Sequence, residues 1–452
     1  MKKWWHQCTS IKRYMPEEDK FTVDDIIQDL PEIKKQGYRI IQITAPYKSA
    51  GFWPWWGLRP LDYFQINQYL GNSMDDFYRL VTACHKEEIK VFVFLNLGYA
   101  DVSSDLWKTA CRQQAYDTDS LERKYFLWSK TKEEIVEGTD SHFIQNDSYW
   151  QWSDLAQCYY WCHWSQDGYA EPQYNWASTS FQIYAKRVLR HWMDTGIDGV
   201  IVDAVNWYLN CNWSIIRECV VDIVHSYGET LCIPEGSTGF GDNYFEWLEL
   251  GGFDAVEDQT FHSDLKWNGS AIMEAIDNRN SYILQERLKI CNLVRQEGKI
   301  VWSYLSWSPS WTVSKRLLEN AILIGTGHLT EILEKSYLDE FQEDDRKKLF
   351  KIIQAGNYVG LALQEERKIL DGFETCFVCI SSPEKFPVVC IFNLQEENTI
   401  LDISLKKYGL ENFQKGYDLI SDRDYMFRNE NLTIELKRYG YCYLALDIGG
   451  RT

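Results

Sequence analysis

No stretch of this sequence approaches about 18 consecutive apolar residues, which leaves no candidate for a membrane-spanning helix. The opening Met1-Lys-Lys-Trp-Trp-His6 is not followed by the apolar run of a secretory leader, so no signal peptide is expected. No Lys/Arg cluster interrupts a background of net charge −19, which argues against nucleic acid and anionic membranes as partners. A Gly-rich phosphate loop is also missing, and there is no internal repeat or low-complexity tract. Metal motifs are scarce. The 13 cysteines are odd in number and irregularly spaced. The single Cys-x-x-Cys, Cys376-Phe-Val-Cys379, has no second pair to complete a zinc site and lies in a strand pattern. Cys232 and Cys390 also sit in strand patterns, where a thiol serves as a small hydrophobe. Lone histidines such as His225 and His328 show no ligand spacing. A reduced, cytoplasmic protein with no metal and no cofactor is the expectation.

What is present is apolar and aromatic. Apolar residues make up 45% of 452, enough for a large core plus a smaller module. Twenty Trp and 28 Tyr exceed what packing requires. Such an excess points weakly to sugar binding, because pyranose C–H faces lie flat on aromatic rings; a large aromatic core is the plainer account.

The first half alternates helix and strand, which implies βα units and a parallel sheet. Helices are expected over Phe21–Gln36, Ser73–Glu88 and Phe181–Asp194, then near Ile283–Glu297, Lys315–Ile324 and Glu340–Ala355. Strands are expected at Tyr38–Thr44, near Pro60–Ile66, and at Lys90–Leu95, Gly199–Val202, Leu231–Pro234, Ala255–Gln259, Lys299–Ser306 and His328–Ile332. Eight such strands predict an α/β fold, a (β/α)8 TIM barrel formed by residues 1–98 and 180–369. Residues 99–179 break the alternation, with short helices at Ser104–Ala115 and Ser120–Ser129, and read as a domain inserted after the third strand. Residues 370–452 change to short β-rich runs with turn signals, the texture of an antiparallel β-sandwich.

Two strands carry the chemistry. Gly199–Val202 ends at Asp203 and Leu231–Pro234 ends at Glu235, with one crossover between them, so they should be parallel neighbours. Retaining glycosidases place a nucleophile and an acid roughly 5 Å apart in this way, at the C-terminal ends of barrel strands. Helix capping or pairing with a cation is the alternative use of such acids.

With its motifs in this order the chain resembles the α-amylase family, glycoside hydrolase family 13, and within it the oligo-1,6-glucosidase branch. Gly196-Ile-Asp-Gly-Val-Ile-Val-Asp203-Ala-Val205 is similar to the family's Gly-x-Asp-Gly-Phe-Arg-x-Asp-Ala-Val signature, which implies that Asp203 is the nucleophile. Ile233-Pro-Glu235-Gly236 is similar to its strand-five motif, which implies that Glu235 is the general acid/base. Three further stretches resemble family motifs: Glu171-Pro-Gln-Tyr-Asn175-Trp176, Gly57-Leu-Arg59-Pro-Leu-Asp62-Tyr63 and Gly325-Thr-Gly-His-Leu-Thr-Glu331. The departures lie in the glycone pocket. Leu58 and Arg59 replace a Tyr and an Asp, Phe94 replaces an Asp, Gly98-Tyr99 an Asn-His, and Ile201 an Arg. Ser306-Trp307-Ser308-Pro309 stands where the family has Asn-His-Asp, so the third catalytic carboxylate is missing.

Several residues are candidates to fill these gaps. Arg59 could restore a cation to the pocket, or pair with a carboxylate such as Asp62. Asp258 is favoured as a replacement third carboxylate, with Glu257 the near alternative, because strand alternation points only one of them into the mouth. At least some of Trp55, Trp56, Trp207 and Trp307 are expected to stack on sugar rings, and Tyr99 to line the pocket. The reading is a retaining glycoside hydrolase or transglycosylase acting on an α-linked di- or oligosaccharide, the glycoside being its partner. A catalytically silent, soluble carbohydrate-binding relative is the alternative.

Overall fold

The computed structural model describes residues 3–53, 56–132, 150–166, 169–236, 245–258, 270–305, 311–333, 337–359, 366–381, 387–428 and 430–447. Eight parallel strands form its centre: β1 (Ser10–Tyr14), β2 (Ile40–Thr44), β3 (Lys90–Leu95), β4 (Gly199–Val202), β5 (Leu231–Pro234), β6 (Ala255–Glu257), β7 (Ile300–Leu305) and β8 (Leu329–Leu333). The ladder runs β5-β4-β3-β2-β1-β8-β7-β6. The ring closes where Asp254 N–H, at the start of β6, donates to the Cys232 carbonyl of β5 at 3.1 Å.

This is the expected barrel with one strand reassigned. Pro60–Ile66 is not a barrel stave; it pairs antiparallel with Tyr47–Ser49 in a hairpin. The remaining stave is Ser10–Tyr14, which pairs with both β2 and β8. Two basic residues in five concealed it, since Ser-Ile-Lys-Arg-Tyr lacks the apolar run of a strand buried on both faces. All five residues are nevertheless buried.

The helices follow from apolar spacing. In α1 (Val23–Gln36), Val23, Ile26, Leu30 and Ile33 recur every three or four residues and are all buried. Thr22 and Asp25 form a capping box at its start. The pattern repeats in α2 (Met74–Lys86), α3 (Thr179–Met193), α4 (Tyr282–Gln296), α5 (Val313–Gly325) and α6 (Glu343–Val359). The β4–β5 crossover is helical over 213–225, with a wider π turn at Arg217–Val221.

Carboxylates also hold the N-terminal end of the barrel. Asp198, the first acid of the β4 motif, accepts from Lys90 Nζ at 2.7 Å, Val91 N–H at 2.9 Å and the His85 ring at 2.8 Å. Asp254 likewise accepts from Cys232 N–H and meets the His225 ring, both at 2.8 Å. His225 therefore has a structural partner.

The insertion contains a helix at Asp105–Ala115 and an antiparallel sheet built from Trp128–Ser129, Trp150–Ser153, Cys158–Gln166 and Tyr169–Pro172. Where a helix was expected over Ser120–Ser129, a 3-10 turn at Glu122–Tyr125 leads into the first of these strands. Much of the aromatic excess is spent here on packing: Trp107 stacks on Trp128 with centroids 5.1 Å apart, and Trp176 on Tyr208 at 4.9 Å.

The C-terminal segment is a six-stranded antiparallel sheet covered by the pair Thr399–Ser404 and Asn431–Leu436. Leu401, Ile403, Leu432 and Ile434 meet Val378, Val389, Ile391 and Leu444 in its own core. Its other face lies on the barrel, where Tyr443 Oη donates to the Ala321 carbonyl of α5 at 2.5 Å. The cysteines are free thiols and nearly all buried. Among the described residues no helix is long and apolar enough to cross a membrane.

Candidate active site

The β4 and β5 strands lie side by side in register, Val202 opposite Pro234, so the residues that follow each strand emerge together. Those residues are Asp203 and Glu235, and their carboxyls are close enough for each to affect the other's ionisation. The turn after β4 wraps the second carboxyl. Ala204 N–H donates to Glu235 Oε2 at 2.6 Å, and Val205 N–H to the Glu235 carbonyl at 3.1 Å. To do so Ala204 adopts a left-handed conformation, φ 43°, uncommon for a residue with a side chain. Gly236 is also left-handed, φ 89°, and a Cβ there would collide with the Asn206 side-chain oxygen. Its N–H donates to Glu257 at 2.6 Å. The Gly of the Pro-Glu-Gly motif is thus required by both backbone and neighbour.

Burial pushes the Asp203 carboxyl well above its usual range, and the adjacent Glu235 charge adds to the shift. Glu235 is also raised, mainly by burial, with the Ala204 N–H and Arg13 opposing. Burial thus holds both carboxyls back from ionising, the Glu235 charge adds to this at Asp203, and Arg13 opposes it at both.

The cation that both acids feel is Arg13, on β1. Its Nε donates to Thr44 Oγ1 at 2.9 Å, its Nη1 lies 3.2 Å from Glu331 of β8, and its guanidinium lies over the Phe94 ring at 5.0 Å. Phe94 and Ile201 are register partners on β3 and β4. The two positions where the resemblance would put an acid and a base are therefore apolar neighbours, and Arg13 of β1 supplies a cation. Glu331 is fully buried, and burial with the nearby Glu235 charge pushes it up to about 7 although Arg13 opposes.

The remaining candidates divide. Glu257, at the end of β6, is buried, is felt by Asp203 and holds the Gly236 N–H. Asp258, the favoured third carboxylate, turns the other way. It lies against α4, 3.0 Å from Arg287 Nη2 and 3.2 Å from Cys291 Sγ, because alternation sends adjacent residues to opposite faces. Arg59, the candidate pocket cation, is engaged by two acids. It is buried and forms ion pairs with Asp101 at 2.6 Å and Glu171 at 3.1 Å, not with Asp62, and ties the hairpin to the inserted sheet. Beside it, burial and the Asp101 charge push Glu171 up to about 8. Tyr99 is buried between that clamp and Asp203, with charges on both sides. Trp207 is half-buried on the turn after the nucleophile position, its carbonyl accepting from Gln173. Trp56 is exposed. Trp55 and Trp307 lie outside the described residues.

Sequence reasoning passed over Arg13, and with it Tyr47 and Tyr208, two buried phenols that feel the Asp203 charge. The signal at Arg13 was a basic residue in a buried strand, visible only once that strand is recognised.

Residues 20–219 match the family model described as alpha amylase, catalytic domain. The alpha-glucosidase of Schizosaccharomyces pombe (strain 972) is 25% identical over 218 residues, 45% of this chain and 35% of that protein. The trehalose-6-phosphate hydrolase of Bacillus subtilis (strain 168) is 24% identical over 209 residues, 45% and 36% respectively. The matched region thus spans about a third of each of these relatives. Among solved structures, the alpha-amylase from H. orenii superposes with a TM-score of 0.75 at 15% identity, covering 97% of this chain and 99% of that one.

Proposed function

We propose that this chain, whose residues 20–219 match the α-amylase catalytic-domain model, cleaves or transfers the glycosyl unit of an α-linked glycoside by a retaining double displacement. The observation that supports the reading is the pair of carboxyls, Asp203 and Glu235, that the in-register strands β4 and β5 bring out side by side under the field of Arg13. Such chemistry needs one of the two ionised and the other protonated.

The free site favours the proton on Asp203, so substrate binding must first move it to Glu235; Asp203, then ionised, attacks the anomeric carbon while Glu235 gives its proton to the departing glycosidic oxygen. The C–O bond to the leaving sugar breaks and a glycosyl ester forms on Asp203. Glu235, now the base, takes a proton from water or from a sugar hydroxyl. That oxygen attacks the same carbon, frees Asp203 and restores the starting proton to Glu235. Arg13 favours the ionised member of the pair, the part that the family's Arg would play at Ile201. Glu257 fixes the Gly236 turn that aims Glu235 and is the acid we assign to the third-carboxylate position, in place of Asp258. Tyr99 forms a wall of the glycone pocket, and Trp56 and Trp207 supply sugar-stacking faces. The named relatives support α-glucosides as the substrate class.

The test is product analysis by mass spectrometry on a panel of α-linked di- and oligosaccharides and aryl glycosides, with Glu235→Gln as the blank. Cleavage or transfer by the unmutated chain alone supports the proposal. Silence across a panel that includes non-glucose and charged sugars sinks it.

One observation favours a second reading, a silent carbohydrate-binding protein: burial holds the Asp203 carboxyl well above the range in which a nucleophile is ionised. Sugar binding that survives Asp203→Asn together with Glu235→Gln, with no turnover by the parent, would select it.

A further inference from the structure

On the outer side of the barrel the fold brings together three side chains that are far apart in sequence: Asp258 just after β6, Cys291 on α4 and His328 just before β8. All three are buried to within 1% of complete exclusion from solvent. Their inward-facing atoms form a compact triangle. Asp258 Oδ2 lies 3.2 Å from Cys291 Sγ, Cys291 Sγ lies 3.8 Å from His328 Nε2, and His328 Nε2 lies 3.7 Å from Asp258 Oδ2.

A triangle of those sides has its corners about 2.1 Å from a common centre, close to a zinc–oxygen or zinc–nitrogen bond and slightly inside a zinc–sulfur bond of about 2.3 Å. Thiolate, imidazole and carboxylate are together a donor set that zinc accepts. Ordinary hydrogen bonding asks only that one pair be close, whereas here all three edges have the length of ligands around one ion.

The surroundings orient the donors. Thr326 Oγ1 sits 2.7 Å from the Ile322 carbonyl and 2.9 Å from His328 Nδ1. With its own proton given to the carbonyl, the hydroxyl accepts from Nδ1–H, which leaves the Nε2 lone pair facing Asp258 and Cys291. A metal-bound histidine is usually held in this way by a partner at its other nitrogen. Arg287 Nη2 takes the other carboxylate oxygen, Asp258 Oδ1, at 3.0 Å, and so fixes that ligand as well.

We infer that Asp258, Cys291 and His328 form a structural zinc site, with water as the fourth ligand. Such an ion ties α4 to the β6 and β8 ends of the barrel. It also holds Asp258 outward, and alternation then keeps the neighbouring Glu257 on the inner face where it binds Gly236 N–H. The site is independent of the glycosidase reading, since its ligands do not touch the carboxyl pair.

The experiment is metal analysis of the full chain produced in zinc-supplemented medium, beside Cys291→Ser and His328→Asn. One zinc per chain in the parent, lost in both variants, is the expected result. The parent refolded with Co2+ should show thiolate-to-metal charge-transfer absorption, a readout that does not depend on either variant folding. A strong chelator should lower the parent's Tm and leave that of Cys291→Ser unchanged. Less than a tenth of an equivalent of zinc together with no charge-transfer band, or zinc retained equally in Cys291→Ser, overturns the inference and leaves the trio as a thiol–carboxylate hydrogen bond beside a neutral imidazole. Glycosidase activity is not needed for any of these outcomes.

Discussion

The two ends of the barrel use the same residue types for opposite purposes. At the N-terminal end, Asp198 and Asp254 are surrounded by donors: a lysine, two imidazole rings and backbone N–H groups. At the C-terminal end, Asp203, Glu235, Glu257 and Glu331 crowd together under one shared arginine, and three of them are pushed above the ordinary carboxylate range. A carboxylate with a full set of donors is a fixed pin. One that must share its donors and is held back from ionising can exchange a proton with a substrate. Position in the βα unit, and not residue type, separates the two.

Breaking the comparison in its largest form means removing one acid from each end. Asp203→Asn should lower turnover on the order of 10⁴-fold, with little change in Tm, since it deletes a buried charge that has a carboxyl for a neighbour. Asp198→Asn should do the reverse, destabilising the fold by about 1–3 kcal/mol, because it weakens the carboxylate's bonds to Lys90, His85 and Val91 N–H, while turnover per folded molecule stays near normal. Calorimetry and initial rates on the two purified variants check both. If each loses both stability and turnover alike, the distinction between the ends fails.

The next effect is in pH. Glu331 titrates near pH 7 when folded and near 4.5 when unfolded, so between these values the native state holds more protons than the unfolded one. Stability should therefore fall as pH rises from about 4.5 to 7, by roughly 3 kcal/mol from this group. Urea titrations across that window should show the slope, and Glu331→Gln should flatten it.

Smaller still is Gly236→Ala, which forces a side chain into a left-handed position against Asn206 and should cost about 1–3 kcal/mol. A loss of kcat larger than the loss of stability is expected, since the same turn aims Glu235. Smallest is Arg13→Met. Arg13 lowers both carboxyls, so its loss raises them, and the acid limb of the pH–rate profile should move up by about one unit.

How much of this was legible in sequence depended on distance along the chain. Asp203 and Glu235 stood out because each closes a short apolar run, a pattern contained in ten residues. Arg13 did not, because Ser10–Tyr14 is too short and too basic to read as a stave, and its partner Glu331 lies at the other end of the barrel-forming chain. Asp258 and Glu257 could not be separated because which face of β6 a residue occupies depends on register, and register follows from pairing with β7. Arg59 was read as a pocket cation or as a partner of Asp62; its partners Asp101 and Glu171 come from the inserted region, whose docking no local pattern encodes. His328 looked isolated for the same reason: Cys291 and Asp258 reach it only through the fold.

The ion pair between β1 and β8 has a consequence for how activity appears during refolding. Arg13 and Glu331 are joined only when the first and last staves meet, a contact of very high sequence separation and hence of slow search. Until that seam forms, the carboxyls on β4 and β5 can be in place without the cation that biases their proton. Catalytic competence should then lag behind helix formation and coincide with the last cooperative step, so recovery of turnover becomes a clock for seam closure.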